Sequence, residues 1–215
     1  MGQYYEVTML RCSGVKYFNR YVIPDKKGYN KLSKWNKEEV DKNGCYYTMA
    51  KLMEHSYVDN QFVDAITEEL INNGAAQIAW VGDYAELPAQ YAAFNPWDKE
   101  DEAVSIKYTT PAAKHLLSGK YIVNETKETY IDFDKYYKNN KWIERWTDNE
   151  GKNHRTEWCI HPIPLLTAIG NGLGGGDYHG TDMSCVGDWA FDLIRIADKA
   201  PEGYYNSSDI TFTEG

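Results

Sequence analysis

The chain has no apolar run near the ~18 residues that a membrane-spanning helix needs, and no signal-peptide-like apolar stretch follows Met1. It is therefore expected to have no membrane partner and to sit in the cytoplasm. Cysteine is scarce. Cys12, Cys45, Cys159 and Cys185 lie far apart and form no C-x-x-C pair, which excludes zinc-finger spacing and a small disulfide scaffold. They read as reduced, mostly buried thiols. Positive charge is short as well, with 23 Lys and Arg against 32 Asp and Glu and a net charge of −9. Such a surface repels phosphates unless basic residues cluster, and the densest basic stretch, Lys26 to Lys42, is diluted by Glu38, Glu39 and Asp41. A nucleic-acid partner is not expected. A myristoylation signal is excluded too, because Glu6 stands where Ser or Thr is required. No Gly-x-Ser-x-Gly elbow is present.

Aromatic residues are plentiful at 14%, with 18 tyrosines and seven tryptophans. They suit a β-rich core, and secondarily stacking surfaces. Tyr4–Leu10 and Val15–Ile23 alternate about a Ser13-Gly14 turn and predict an N-terminal hairpin. Residues 24–45 are polar and broken by Pro24, Gly28 and Gly44, which predicts a long loop or insertion. Tyr46–Tyr57 suits a short helix, although its aromatics tolerate a strand. The clearest helix covers residues 60–73, with Asp59 as N-cap, an apolar stripe of Phe62, Val63, Ile66 and Leu70, Asp64, Glu68 and Glu69 on the opposite face, and Gly74 as the stop. Gln77–Val81 reads as a strand ending at Gly82-Asp83, and residues 84–105 as mostly loop. Pro111–Leu117 reads as one or two helical turns.

Lys120–Asn124 with Thr129–Phe133, and Lys141–Trp146 with Arg155–Ile160, predict two further hairpins. Pro164 can open a short helix through Ile169, Trp189–Ala197 reads as a buried strand, and the tail from Pro201 as loosely held. The expected fold is α+β, a single domain over residues 1–215 with mostly antiparallel sheet and a few short helices. The alternative division is into two lobes, 1–110 and 111–215.

One segment resists explanation as core or surface. Residues 170–180 contain six glycines in eleven positions, with Asp177 and His179 near the end. Glycine density of this kind points to positive φ angles or to a backbone that something approaches closely, and exposed N–H groups there can cradle anions. The nucleotide motifs fail on context. A Walker loop ends in Gly-Lys-Ser or Gly-Lys-Thr, whereas here Gly176 leads into Asp177 and Tyr178, and the dinucleotide fingerprint needs a strand before it and a helix after it. A small-molecule or nucleotide cradle and a tight crossing of packed elements both remain open. Asp177, His179 and Asp182 are the candidate metal or acid–base cluster, since carboxylates plus water can hold a divalent ion. The cofactor is left unassigned.

Weaker candidates are Glu54-His55 for acid–base work and Cys185 with His179 as a thiol–imidazole pair. His161 reads as a strand-end packing residue, and His115 and His154 as exposed. Val81-Gly82-Asp83-Tyr84-Ala85 is echoed by Val186-Gly187-Asp188-Trp189-Ala190. Either an ancestral duplication or the turn chemistry of Gly-Asp with an anchoring aromatic accounts for it.

Met1-Gly2-Gln3-Tyr4-Tyr5, Lys51-Leu52-Met53-Glu54, Trp80-Val81-Gly82-Asp83-Tyr84-Ala85, Gly170-Asn171-Gly172-x-Gly174-Gly175-Gly176-Asp177 and Val186-Gly187-x-Trp189-Ala190-x-Asp192 together resemble blocks of a family of proteins from phages, prophage-like regions and bacteria. The resemblance implies no reaction. It implies that Asp83, Asp177 and Asp192 belong together, whereas the position of Asp188 is often Ser in that family.

These residues support an accessory protein that binds a small polar ligand or nucleotide through Asp83, Gly174, Gly175, Gly176, Asp177, His179 and Trp189. A non-enzymatic protein whose acidic, tyrosine-rich surface meets a host protein is the alternative. A metal-assisted hydrolase built on Asp177, His179 and Asp182 is a third.

Overall fold

The computed structural model describes residues 3–48, 50–111, 115–171 and 184–212. β1 (Tyr5–Arg11) and β2 (Gly14–Pro24) form the expected N-terminal hairpin, in register from Val7 opposite Phe18 to Arg11 opposite Gly14. The predicted loop at 24–45 is instead two helices, α1 (Lys26–Lys31) and α2 (Lys34–Asn43). Their caps explain them. The Asp25 carboxylate accepts from the Gly28 N–H, the Ser33 hydroxyl from the Asn36 N–H, and Gly44 closes α2 at φ 76°. No residue of α2 is buried, so no apolar stripe marked it.

β3 (Tyr46–Tyr47) and the single turn α3 (Leu52–His55) divide the ambiguous stretch. α4 (Gln61–Asn73) buries Phe62, Val63, Ile66 and Leu70 as predicted. Its cap is Asn60 rather than Asp59, which stands at φ 70° outside the helix. Asp64, expected on the solvent face, is buried. Tyr108 donates its hydroxyl to it at 3.3 Å, and burial pushes its carboxyl up to about 8. β4 (Ala76–Gly82) follows, then 3₁₀ turns at 89–94 and 96–98, and then β5 (Val104–Tyr108), a strand within the expected loop and just past it. Residues 112–114 lie outside the described residues, and 115–119 form a turn rather than helix.

β6 (Tyr121–Asn124) and β7 (Thr129–Asp132) pair as predicted, and α5 (Phe133–Asn140) leads into the second predicted hairpin, β8 (Trp142–Thr147) with β9 (Asn153–Trp158). α6 (Pro162–Leu166) starts at Pro162, not Pro164, and stops short of β10 (Ala168–Ile169). β11 is Leu193–Ala197, so Trp189–Asp192 form a turn rather than the start of the strand. The tail is not loose. β12 (Tyr205–Asn206) pairs with β7, and Phe212 is fully buried.

Among the described residues the fold is α+β, with six helices, a ten-stranded, mostly antiparallel sheet and a separate two-stranded ribbon. The sheet order is β12-β7-β6-β11-β4-β1-β2-β3, so strands from both halves of the chain share it. β4 holds the centre. One edge takes β1, while the other takes β11 at Ala76–Gln77 and β10 at Trp80–Val81, with the Phe191 N–H bonding the Ile78 carbonyl between them. β1 and β4 are covered on both faces. On one lie α4 and a large core that includes Tyr5, Val7, Met9, Ile78 and Trp80, with Phe62 edge-on to Trp80 at 5.2 Å. On the other, Ala79, Val81 and Phe191 are covered by Tyr91, which stacks on Phe191 at 3.9 Å, and by Trp97. Burial on both faces explains why Gln77–Val81 reads as a nearly continuous apolar run.

Candidate functional site

Three stretches distant in sequence meet where β1 begins and β4 and β10 end. Antiparallel pairing sets Tyr5 opposite Gly82, and the parallel pair β4–β10 delivers Gly170 to the same place. Gln3 fills the space between them and is fully buried. Its Oε1 accepts from the Tyr5 hydroxyl at 3.0 Å and from the Asn171 N–H at 3.3 Å. A Cβ at Gly82 would lie 2.4 Å from Gln3 Nε2, and one at Gly170 would lie 2.3 Å from the Tyr5 hydroxyl. Both glycines are therefore required by close side-chain approach, not by a left-handed backbone. Gln3 Nε2 has no hydrogen-bond partner among the described residues. An unpartnered buried amide donor costs about 1–3 kcal/mol, which an acceptor placed there would recover.

Asp83 closes the same corner. Its N–H donates to the Tyr4 carbonyl at 2.9 Å, and its Oδ1 accepts from the Tyr4 N–H at 3.2 Å. On the face carrying Tyr4, Arg20 lies over the rings of Tyr4, Tyr47 and Trp97, 4.7, 4.5 and 5.4 Å from their centroids. Glu6 is its ionic partner, at 3.8 Å from Nε to Oε1, too long for a hydrogen bond. Glu6 Oε2 and Arg20 Nε and Nη1 are buried without hydrogen-bond partners among the described residues. Burial pushes the Glu6 carboxyl up to about 7; Arg20 pulls it down and Glu100 adds to the rise. Trp97, which walls this pocket of charge, is anchored by donating its indole N–H to the Val81 carbonyl at 2.8 Å.

Trp189 sits further back. It is buried, and its N–H bonds the Leu166 carbonyl at 2.7 Å, which fastens the second Gly-Asp turn to the segment that feeds β10. Asp192 accepts from the Asn124 side chain at 2.8 Å, on the β6 side and away from Asp83. Of the expected ligand residues, Asp83 is at the corner and Trp189 supports it from below. Gly174, Gly175, Gly176, Asp177, His179 and Asp182 lie outside the described residues. No group of three or more His, Cys, Asp or Glu suited to a metal occurs among the described residues.

Other expectations change. His115 is buried rather than exposed, with Nδ1 3.1 Å from both Asp59 oxygens, and His154 is half-buried and bonds Asp148 at 2.7 Å. His161 is buried and caps α6 by accepting from the Ile163 N–H, and burial pulls its pKa down to about 3. Only Cys159 is buried; Cys12 is exposed and Cys45 and Cys185 are half-buried, so the thiols are not mostly interior. Burial also drives the Cys159 thiol up to about 12, which makes it a poor nucleophile. The Glu54 side chain and His179 are outside the described residues.

The sequence reading missed Gln3, Arg20 and Glu6. Gln3 was visible only as part of the Met-Gly-Gln-Tyr-Tyr start, and Arg20 and Glu6 alternate as ordinary strand polar residues. Compared with family models, curated proteins and solved structures, the chain matches none.

Proposed function

We propose that the protein binds a small polar ligand, with a nucleotide as first candidate, at the corner built by Gln3, Gly82, Asp83, Gly170 and Asn171. It acts as a non-enzymatic accessory protein of the phage and prophage type that its sequence blocks resemble. The observation that carries this reading is the buried Gln3 carboxamide, held by two glycines that leave it room, with its donor unpartnered among the described residues. A ligand carbonyl, phosphate or ring nitrogen satisfies that donor. The glycine-rich sequence continues directly from Asn171.

Thermal-shift titration with nucleotides, with and without divalent cations, tests the reading, because stabilisation follows ligand concentration relative to Kd. A nucleotide raises the melting temperature of the native chain, and Gln3→Ala and Asp83→Ala each reduce that rise. A panel without any shift, or a shift indifferent to Gln3→Ala, refutes the assignment.

A further inference from the structure

The β8–β9 ribbon lies outside the main sheet, and its residues are almost all exposed or half-buried. Trp142 and Trp158 fix its base by packing against Tyr57, with ring centroids 6.1 and 4.8 Å away. Because side chains alternate, the opposite face carries Ile143, Arg145 and Thr147, set against Glu157, Arg155 and Asn153. Arg145 stands directly across from Arg155. Like charges in that position destabilise a ladder.

The chain has five arginines. Arg11, Arg20 and Arg195 each pair with a glutamate, Glu69, Glu6 and Glu125. Arg145 and Arg155 are exposed, and their side chains have no ion pair or hydrogen bond among the described residues. Acidic neighbours on the ribbon do not relieve them. Asp148 accepts from the Glu150 and Lys152 N–H groups and from His154, Glu157 is held by Lys141 and Tyr137, and Glu144 accepts from the Trp158 indole. On the face of the two guanidiniums Ile143 is 40% exposed, whereas Trp146, stacked on His154 at 4.2 Å, lies on the reverse face with Trp142. Exposed arginines with an adjacent aliphatic group suit a protein-binding surface, where arginine is enriched.

We infer that the β8–β9 ribbon docks a protein partner through an acidic segment, with its carboxylates held by Arg145 and Arg155 and an apolar residue set against Ile143. A polyanion fits less well. Two unpaired arginines neutralise few phosphates, and the chain's net charge of −9 opposes a nucleic acid. This inference is independent of the ligand corner.

The test uses the full chain and a short fluorescein-labelled peptide of alternating glutamate and valine, read by anisotropy, beside single- and double-stranded oligonucleotides of similar contour length. The peptide binds the native chain, and Arg145→Glu with Arg155→Glu weakens binding about tenfold or more. Arg145→Lys with Arg155→Lys retains part of it, because the charge survives without the planar fork. Arg145→Glu alone, which turns the repulsive pair into an opposite-charge pair with Arg155, melts no lower than the native chain, so the ribbon still folds. Preference for an oligonucleotide over the peptide, peptide binding indifferent to charge reversal, absence of peptide binding, or a lower melting temperature in the Arg145→Glu chain overturns the inference.

Discussion

Val81-Gly82-Asp83-Tyr84-Ala85 and Val186-Gly187-Asp188-Trp189-Ala190 are the same turn locally and different devices globally. In each, the alanine N–H bonds the glycine carbonyl, at 2.9 Å for Ala85 to Gly82 and 3.0 Å for Ala190 to Gly187. Gly187 stands at φ 76°, its N–H bonds the Leu165 carbonyl at 2.8 Å, and an added Cβ would lie 2.5 Å from the Ala168 carbonyl oxygen. Gly82 is not left-handed; what it accommodates is a side chain, that of Gln3. The aromatic residue is exposed in the first turn, at Tyr84, and buried in the second, at Trp189. Asp83 binds the backbone of Tyr4, whereas Asp188 pairs on the surface with Lys127 at 3.2 Å. A shared five-residue pattern specifies a turn. The elements packed against that turn decide whether it is a structural rivet or the edge of a site.

The sharpest break between the two lies in their aromatics. Trp189→Ala should cost about 3–5 kcal/mol, while Tyr84→Ala should stay within about 0.5 kcal/mol, both read from urea unfolding. Comparable losses would erase the distinction.

The glycines come next. Gly187→Ala combines a left-handed backbone with a clash against a carbonyl and should cost about 3 kcal/mol. Gly82→Ala should cost about 1–2 kcal/mol, because the obstructing atoms belong to a side chain. Gln3→Ala in the Gly82→Ala background should then recover stability, so that a double-mutant cycle gives a coupling of about 1 kcal/mol. Additive costs would mean that Gln3 is not what Gly82 accommodates.

Glu6, opposite Val81, gives the first turn alone a pH response. Its carboxyl is raised from 4.5 to about 7 in the folded chain, so the folded state binds the proton more tightly than the unfolded one. Its contribution to stability is therefore greatest below pH 4.5, declines as pH rises towards about 7, and is flat above that. Glu6→Gln should reduce that decline and stabilise the chain at pH 8 by about 1–2 kcal/mol, measured as the difference between denaturation series at pH 5 and pH 8. An unchanged slope would show that Glu6 stays ionised throughout.

The smallest contrast is between the carboxylates. Asp83→Ala should cost about 0.5–1.5 kcal/mol by releasing the Tyr4 N–H, while Asp188→Ala, which loses an exposed pair with Lys127, should change stability by about 0–0.5 kcal/mol. Equal effects would place the two turns in equivalent surroundings.

Elements that bury a regular face were legible from the chain. The β1–β2 hairpin, α4, β4 and the pairs β6–β7 and β8–β9 all carry the required alternation or stripe. Elements without one were not. α2 buries nothing and shows only its caps, and β10 and β12 are two residues long and exist because a neighbouring strand offers an open edge. Asp64 was misplaced because helical periodicity says which residues share a face, not which polar group a distant tyrosine will bury. At the site, the Gly82-Asp83 turn was legible and its partners were not.

The residues alone determined an α+β chain with a β-rich aromatic core and a turn at each Gly-Asp, and among the described residues no helix is long and apolar enough to cross a membrane. These follow from local backbone preference and from the spacing of apolar side chains, both of which act over a few residues. Only the tertiary structure decided that Gln3 lies between Gly82 and Gly170, that Arg20 sits among Tyr4, Tyr47 and Trp97, and that Arg145 faces Arg155. Such juxtapositions depend on strand register and sheet order, which are set by packing across separations of up to 168 residues, as in the bond from Asn171 to Gln3.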